Sequence, residues 1–107
     1  MKGDTLKGHL DLLLLAVLEG GPAHGYAVID DLKRRSDGAF DLPEGTIYPA
    51  LHRLEGGGLV KSEWSVETGR RRRVYTLTRK GRRSLGEQTS AWQRFSRAMT
   101  GALEPAT

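Results

Sequence analysis

Residues 43–81 read PEGTIYPALHRLEGGGLVKSEWSVETGRRRRVYTLTRKG, and this stretch decides the fold. Ile47, Leu51 and Leu54 follow one another at i, i+4 and i+7, which is the spacing of one apolar face of a helix. Three consecutive glycines, residues 56–58, then predict the end of that helix, because glycine takes the left-handed conformation of a helix C-terminus at low cost.

The same helix contains a proline. Pro49 has no backbone N–H and is tolerated best in the first turn, so we expect the helix to begin near Thr46. That start turns the side chains of Thr46 and Tyr48 outward, beside the free N–H groups of a helix N-terminus. A phosphate binds well at such a place.

Two runs of alternating side chains follow the helix, residues 59–64 and 74–78, and they predict a β-hairpin. Between them lies a turn, residues 65–73, which ends in four consecutive arginines. A helix followed by a hairpin with a basic turn is the arrangement of a winged helix-turn-helix, in which the hairpin is the wing. This arrangement predicts binding to DNA.

Further helices are expected on both sides of this segment. The run over residues 10–18 is apolar nearly all round, which is typical of a helix with partners on more than one side. Thr78 is a good N-cap for a final helix. The flanking helices should cover about residues 7–19, 23–36 and 79–103.

The fold class is therefore mainly α with a small β-hairpin (α+β), a winged helix-turn-helix plus a C-terminal dimerisation helix. We expect a DNA-binding domain over residues 1–78, followed by the dimerisation helix and a short tail over residues 79–107.

Positive charge is concentrated in one sector of the chain. The net charge is +4 and the isoelectric point is near 9.8. Acids outnumber bases by eight to five over residues 1–44, whereas residues 61–83 carry nine Lys or Arg against two Glu. The distribution therefore favours an anionic partner for the second half of the chain.

Composition excludes several classes of function. The absence of cysteine removes disulfides, thiolate nucleophiles and cysteine-based metal sites. The only long apolar run, residues 12–18, is far too short to span a membrane. No nucleophile–base pair, phosphate loop or paired carboxylate is present in the sequence. We expect a cytoplasmic protein that is not an enzyme, needs no cofactor and does not enter a membrane.

Contact with DNA requires hydrogen-bond donors on surfaces free of core packing. The outer face of the third helix offers such groups, and so does the wing. Alternation sends at most two of the four wing arginines inward, and none has an evident acidic partner. The expected DNA-binding residues are Thr46, Tyr48, Pro49, His52, Arg53, Lys61, Arg70, Arg71, Arg72 and Arg73.

A second copy of the chain is the expected partner of two helices. The first helix is apolar on every side, and Leu85, Trp92 and Met99 recur every seven residues, a spacing suited to helix pairing. The expected dimer-interface residues are Leu10, Leu13, Leu14, Leu85, Trp92, Phe95, Met99 and Leu103.

The three histidines do not form a metal-binding pattern. His9, His24 and His52 fall on three different expected elements, without the close spacing of metal ligands, so we expect no metal. A site assembled between two subunits from His and Asp or Glu remains open.

The chain resembles the PadR family of transcriptional regulators. The resemblance covers nearly the whole chain and rests on segments found in this order: LLLLAVL (12–18), HGY (24–26), GTIYPALHRLE (45–55), GRRR (69–72) and YTLTRKG (75–81). It implies a winged-helix homodimer that represses transcription from a promoter palindrome. A single terminal helix is similar to the short subclass, in which the last helix packs against the partner's first and last helices.

The resemblance also implies roles for residues at matching positions. Thr46, Tyr48 and Pro49 would face DNA, and the arginines would form the wing. Some short members bind planar aromatic compounds between paired tryptophans of the last helix, and Trp92 is at the matching position, which implies a small aromatic effector.

Two other functions remain open. The protein could be a ligand or metal sensor whose site lies at the dimer interface, with DNA binding as its output. Alternatively, the winged helix could be a protein-interaction module whose basic wing binds an acidic partner.

Overall fold

The structure is a computed structural model, and it describes residues 6, 8–67 and 69–105. The expected start of the first helix at residue 7 lies outside the described residues. The elements described there are α1 (Leu10–Glu19), β1 (Ala23–His24), α2 (Gly25–Arg35), α3 (Glu44–Gly56), β2 (Val60–Glu67), β3 (Arg70–Leu77) and α4 (Arg79–Leu103).

The strands form one antiparallel sheet in the order β1-β3-β2. The hairpin register runs from Val60 opposite Leu77 to Glu67 opposite Arg70. The strand β1 adds two residues to the other edge of β3, with Ala23 opposite Tyr75. The mainly α fold with a small β element is thus confirmed. The expected hairpin, β2 and β3, is part of a three-stranded sheet to which β1 adds the third strand.

The expectation that helix two opens at residue 23 was wrong. Ala23 and His24 are extended and pair with β3, so α2 begins only at Gly25. His24 is the N-cap, and its Nδ1 accepts a hydrogen bond from the N–H of Ala27 over 3.3 Å. Such a bond satisfies one of the free donors at the helix start.

The expected nine-residue turn of the wing was also wrong. The strands continue through it to Glu67 and resume at Arg70, so all four arginines belong to β3. The turn contains Gly69, whose φ of 77° is a conformation that glycine adopts without strain. Cross-strand pairs hold the extension together, among them Trp64 opposite Arg73.

α3 begins two residues earlier than expected, at Glu44. Pro49 is therefore the sixth residue of the helix, beyond its first turn, and has no N–H to donate to the carbonyl of Gly45. The helix continues past the proline because its other face is anchored in the core, where Ile47 and Leu51 are fully buried. The helix ends at Gly56, within the predicted glycine run.

One apolar core joins all four helices to the sheet. α1 contributes most to it, and Leu14 and Leu15 have no exposed surface. The buried residues are Leu10, Leu14, Leu15, Val17, Leu18, Val28, Leu32, Ile47, Ala50, Leu51, Leu54, Val60, Tyr75, Leu77 and Leu85.

α4 is joined tightly to the end of α3. Thr78 caps α4, accepting from the N–H of Gly81 over 3.0 Å, and its hydroxyl donates to the carbonyl of Gly58 over 2.7 Å. Lys80 donates to the carbonyl of Gly57 over 2.8 Å. A Cβ at Gly81 would lie 2.0 Å from the Leu59 carbonyl oxygen, so only glycine allows this approach.

The far half of α4 leaves the core. Leu85 is buried, but from Ser90 to Leu103 most residues are exposed. The division into a domain over residues 1–78 and a terminal helix over residues 79–107 stays a prediction. No helix in the described part of the chain is long and apolar enough to cross a membrane.

Candidate nucleic-acid interface

The outer face of α3 carries exposed small and polar residues. Pro49, His52 and Arg53 are exposed along it, with Gly45 and Gly56 at its two ends. Neither of these glycines has another atom within 4 Å of where a Cβ would stand. The face is therefore open to close approach by a large partner over the whole length of the helix.

Tyr48 does not project freely from this face as expected. Its ring lies across the start of α2, where a Cβ at Gly25 would stand only 2.4 Å from the Tyr48 hydroxyl oxygen. Burial raises the pKa of Tyr48, the charge of Glu44 raises it further, and Arg72 opposes the shift. The Tyr48 hydroxyl is thus a neutral donor near neutral pH. Thr46 is likewise half-buried.

Arg53 is held by a residue distant in sequence. Its guanidinium forms an ion pair with Asp11 of α1, while 60% of the Arg53 side chain remains exposed. Exposed pairs of this kind contribute little to stability, so Arg53 can exchange Asp11 for another anion at small cost.

One face of the wing carries a stacked aromatic group. The guanidinium groups of Arg71 and Arg73 both lie over the Trp64 indole. The Cζ atom of Arg71 is 4.5 Å from the centroid of the ring, and that of Arg73 is 5.2 Å from it. Arg73 also donates to the Ser62 hydroxyl over 2.7 Å. It lies 3.9 Å from the carboxylate of Glu55. The expectation that no wing arginine has an acidic partner was therefore wrong for Arg73.

The other face of the wing brings Arg72 against His24. The Arg72 guanidinium lies 2.8 Å from His24 Nε2. A neutral imidazole has one acceptor nitrogen, so the ring accepts either from the Ala27 N–H at Nδ1 or from Arg72 at Nε2. Arg72 has several N–H donors, so most of them remain available to an anion in either case.

The wing and the two helices enclose a groove of about 400 Å³. It brings together Tyr48 and the four arginines of the expected site, and it adds residues of β1, α2 and β2 that the sequence did not indicate. The lining residues are His24, Gly25, Tyr26, Tyr48, Trp64, Arg70, Arg71, Arg72 and Arg73.

His52 and Lys61, which were also expected to contact DNA, line two neighbouring grooves. His52 lines a groove of about 600 Å³ between the end of α3 and the wing, together with Arg73. Lys61 lines a groove of about 670 Å³ on the outer face of the sheet, and this groove shares His24, Trp64 and Arg72 with the wing groove. The structure therefore places most of the expected DNA-binding residues along α3 and the wing, with Lys61 in the groove on the outer face of the sheet.

An acid also lies near this surface. A hydrogen bond to Glu44 raises the pKa of Tyr26, and the negative charge of Glu44 adds to the shift, while Arg70 opposes it. Glu44 is the first residue of α3. Neither Tyr26 nor Glu44 was expected in the site, because their pairing depends on how α2 and α3 pack.

The expected dimer residues separate into three groups. Leu10, Leu14 and Leu85 are buried in the core of the single chain. Leu13 is half-buried on α1. Large apolar side chains remain exposed along one face of α4, namely Trp92, Phe95, Met99 and Leu103.

A groove of about 280 Å³ lies between the start of α1 and α4. Trp92, Phe95, Leu12 and His9 line it. Among the residues that the structure describes, no three His, Asp or Glu side chains come together to hold a metal ion.

Comparison with known proteins agrees with this architecture. Residues 14–87 match the family model described as "Transcriptional regulator PadR-like family". A relative from Mycobacterium tuberculosis, described as a transcriptional regulator, is 41% identical over 78 residues, which cover 73% of this chain and 70% of that protein.

Solved structures are similar over almost the whole chain. A transcriptional regulator from Clostridium thermocellum matches with a TM-score of 0.87 at 26% identity, over 95% of this chain and 100% of that one. A PadR family transcriptional regulator from Eggerthella lenta matches with a TM-score of 0.82 at 32% identity, over 96% and 88% of the two chains. The chain therefore belongs to the PadR-like family of transcriptional regulators, which are DNA-binding winged-helix proteins rather than enzymes.

Proposed function

We propose that the protein is a homodimeric repressor that binds a palindromic promoter operator and is released from it by an effector. The observation that carries this proposal is the open polar face of α3 beside a wing whose β3 strand carries four arginines. A helix face gives contacts to base edges, and the arginines give contacts to phosphates.

α3 is the element that enters the major groove. A helix fits this groove when its outer side chains are small or polar. In the first half of α3, Gly45 and Pro49 project little beyond the helix backbone. In the second half, His52 and Arg53 supply hydrogen-bond donors. The N-terminal half therefore approaches the base edges most closely.

The wing contacts the DNA backbone beside that groove. Arg70 and Arg71 are exposed near its turn, whereas Arg72 and Arg73 are half-buried closer to α3. The outer pair reaches phosphates or the adjacent minor groove, which attracts arginine where it is narrow. The inner pair lies closer to the phosphates that flank α3.

The exposed apolar face of α4 supports a dimer. Trp92 keeps 47% of its surface exposed and Phe95 keeps 59%, and both lie on the face that carries Met99 and Leu103. Contiguous exposed apolar patches mark interaction sites. A second copy buries them by pairing α4 with α4, which places two α3 helices about 34 Å apart along the DNA.

A planar aromatic effector fits the same interface. The groove beside Trp92 and Phe95 is small in one protomer, about 280 Å³, and pairing of two such grooves would enlarge it. Binding there would change the angle between the α4 helices and so the spacing of the α3 helices. In the alternative form of this hypothesis, the effector bound at the dimer interface is a metal ion.

A salt-dependent gel shift tests the repressor. The full chain is titrated onto the DNA upstream of its own gene and onto a scrambled duplex of equal length. We expect tight binding to the first duplex that survives competitor DNA. Equal and weak binding to both duplexes would contradict an operator at that promoter. Binding that is no tighter to duplex than to heparin would favour the protein-interaction module instead.

Two variants locate the contact. His52→Ala removes an exposed donor from α3 without opening the core, so operator affinity should fall while the dimer persists in sedimentation. Glu87→Ala changes an exposed residue of α4 and serves as the matched surface control. Unchanged operator affinity in His52→Ala would argue against contact by the second half of α3.

A further inference from the structure

Trp64 is a large aromatic side chain on the surface of the wing. It keeps 56% of its surface exposed, although it stands beside the four arginines of β3. On β2 it is opposite Arg73, and it lines both the groove beside Tyr48 and the groove beside His52. The indole therefore lies where the wing faces α3, and with more than half of its surface exposed it adds little to the core.

Arg73 is fixed by a chain of polar contacts to the end of α3. Its Nε donates to the Ser62 hydroxyl over 2.7 Å, and that hydroxyl donates to the carboxylate of Glu55. The Arg73 guanidinium also lies 3.9 Å from the same carboxylate. Glu55 belongs to the last turn of α3, so these contacts hold the base of the wing against the helix.

The indole extends this order toward the tip of the wing. Arg71 and Arg73 are two residues apart on one strand, so their side chains share a face of the sheet. Both guanidinium groups lie over the same ring, that of Arg71 at 4.5 Å and that of Arg73 at 5.2 Å from its centroid. Trp64 is thus the common contact of the braced Arg73 and the outer Arg71.

Stacking leaves a guanidinium free to bind an anion. The ring contacts the face of the planar group, whereas its N–H donors project from the edge. Arg71 can therefore remain on the indole while it donates to a phosphate. A side chain that is ordered beforehand loses less conformational entropy on binding than a freely rotating arginine does.

We propose that Trp64 is a positioning residue for DNA binding, which holds the guanidinium of Arg71 in the orientation that contacts a phosphate. This inference rests on the proposed function, since it requires the wing to lie along the DNA backbone.

Two other roles of an exposed tryptophan predict different results. An indole that inserts between base pairs contacts the DNA itself, so its loss would multiply with the loss of Arg71. An indole that serves only as apolar cover for β2 could be replaced by leucine without a change in DNA affinity. The three roles are therefore separated by the coupling between Trp64 and Arg71.

A double-mutant cycle measures this coupling. Full-length wild type, Trp64→Leu, Arg71→Ala and the double variant are titrated onto one operator duplex, which the wild type has selected from a randomised library. Trp64→Thr is a second variant without a ring, because threonine suits a strand. Trp64→Phe keeps an aromatic face. Circular dichroism verifies that each variant is folded.

The matched control is Val66→Ala. Val66 is exposed, lies two residues from Trp64 on the same face of β2, and has no aromatic ring. Trimming it removes apolar surface from the wing without touching the stack, so its operator affinity should match that of the wild type.

We expect Trp64→Leu and Trp64→Thr to weaken operator binding about 2- to 5-fold for each wing, or about 4- to 25-fold for a dimer, which is the factor that a cation–π contact at an exposed site supplies. Trp64→Phe should recover most of this affinity. In the Arg71→Ala background, Trp64→Leu should cause little further loss, because the group that the indole positions is absent and Arg73 keeps Ser62 and Glu55 as partners.

Salt dependence gives a second readout. Arg71→Ala removes a charge that neutralises a phosphate, so the slope of log affinity against log salt should fall by about 0.9 for each wing. Trp64→Leu removes no charge, and its slope should stay at the wild-type value while its affinity falls.

Losses that multiply in the double variant would overturn the inference in favour of direct contact between the indole and DNA. Unchanged affinity in Trp64→Leu, or an equal loss in Val66→Ala, would overturn it as well. A wild type that selects no sequence from the library would overturn the proposed function itself. The first failures arise in the cycle and the last one arises before it, so the two are distinguishable.

Discussion

Removing the two outer arginines of the wing should reduce the salt dependence of DNA binding. Arg70 and Arg71 are exposed, and although Arg71 stacks on Trp64, it keeps its donors accessible. Each phosphate neutralised on duplex DNA contributes about 0.9 to the slope of log affinity against log salt. The double variant Arg70→Ala/Arg71→Ala should therefore lose about 1.8 from the slope for each bound protomer, or about 3.6 for a dimer.

The size of the effect is convenient to measure. Between about 50 and 200 mM salt, a slope difference of about 1.8 corresponds to roughly a 12-fold difference in the loss of affinity, and the difference of about 3.6 expected for a dimer corresponds to roughly a 150-fold difference. Fluorescence anisotropy with a labelled duplex, at five or more salt concentrations, gives the slope directly. The variant should bind more weakly than the wild type at low salt, and the two affinities should converge as salt rises.

A matched control separates contact from net charge. Arg94→Ala/Arg97→Ala makes the same change of two charges on exposed positions of α4. We expect its slope to stay near that of the wild type. The reasoning would be refuted if the wing variant kept the wild-type slope, or if both double variants reduced it equally.

Three other predictions concern stability and assembly. Gly81→Ala forces a Cβ to 2.0 Å from the Leu59 carbonyl oxygen, so urea denaturation should show a loss of about 3 kcal/mol; a loss below about 1 kcal/mol would mean that the α4 joint yields easily. Trp92→Ser/Phe95→Ser removes two exposed apolar side chains, and sedimentation should show dimerisation weakened on the order of 100-fold or more, whereas an unchanged constant would place the interface elsewhere. Burial raises the pKa of Tyr75 above its ordinary value of 10.0, so folding favours the neutral form; the resulting stability is present below pH 10.0 and is lost as pH rises through the folded pKa. Urea titrations on either side of that pH should show a smaller loss of stability for Tyr75→Phe than for the wild type, because only Tyr48 and Tyr26 then contribute, and an equal loss would refute the role of Tyr75.

Sequence patterns located the helices better than the strands. The bounds of α4 match the expected residues 79–103, because Thr78 is a strong N-cap signal at its start. β1 was missed, since two residues have no periodicity and become a strand only by pairing with β3. The arginine run was expected in a turn because arginine has no strong preference for strands, but the facing residues Trp64 and Val66 extend β2 through it.

The candidate site was predictable in its residue types but not in its contacts. The helical spacing of apolar residues predicted α3, and the cluster of arginines after it predicted a basic wing next to it in the sequence. The partners of Arg53 and Arg73, which are Asp11 and Glu55, lie on other elements, so local patterns carry no information about them. The effect of Glu44 on the pKa of Tyr26 likewise arises only after α2 and α3 have packed.

The joint between α3 and α4 makes the terminal helix a lever. Thr78 and Lys80 bind the glycine run that ends α3, and Gly81 lets α4 press against Leu59, so rotation of α4 is carried into the wing and α3. With 25 residues, α4 is about 37 Å long, and a tilt of about 5° moves its far end by roughly 3 Å. A small ligand that moves the far end of α4 by about 3 Å would thus turn α3 and the wing through the same angle of about 5°.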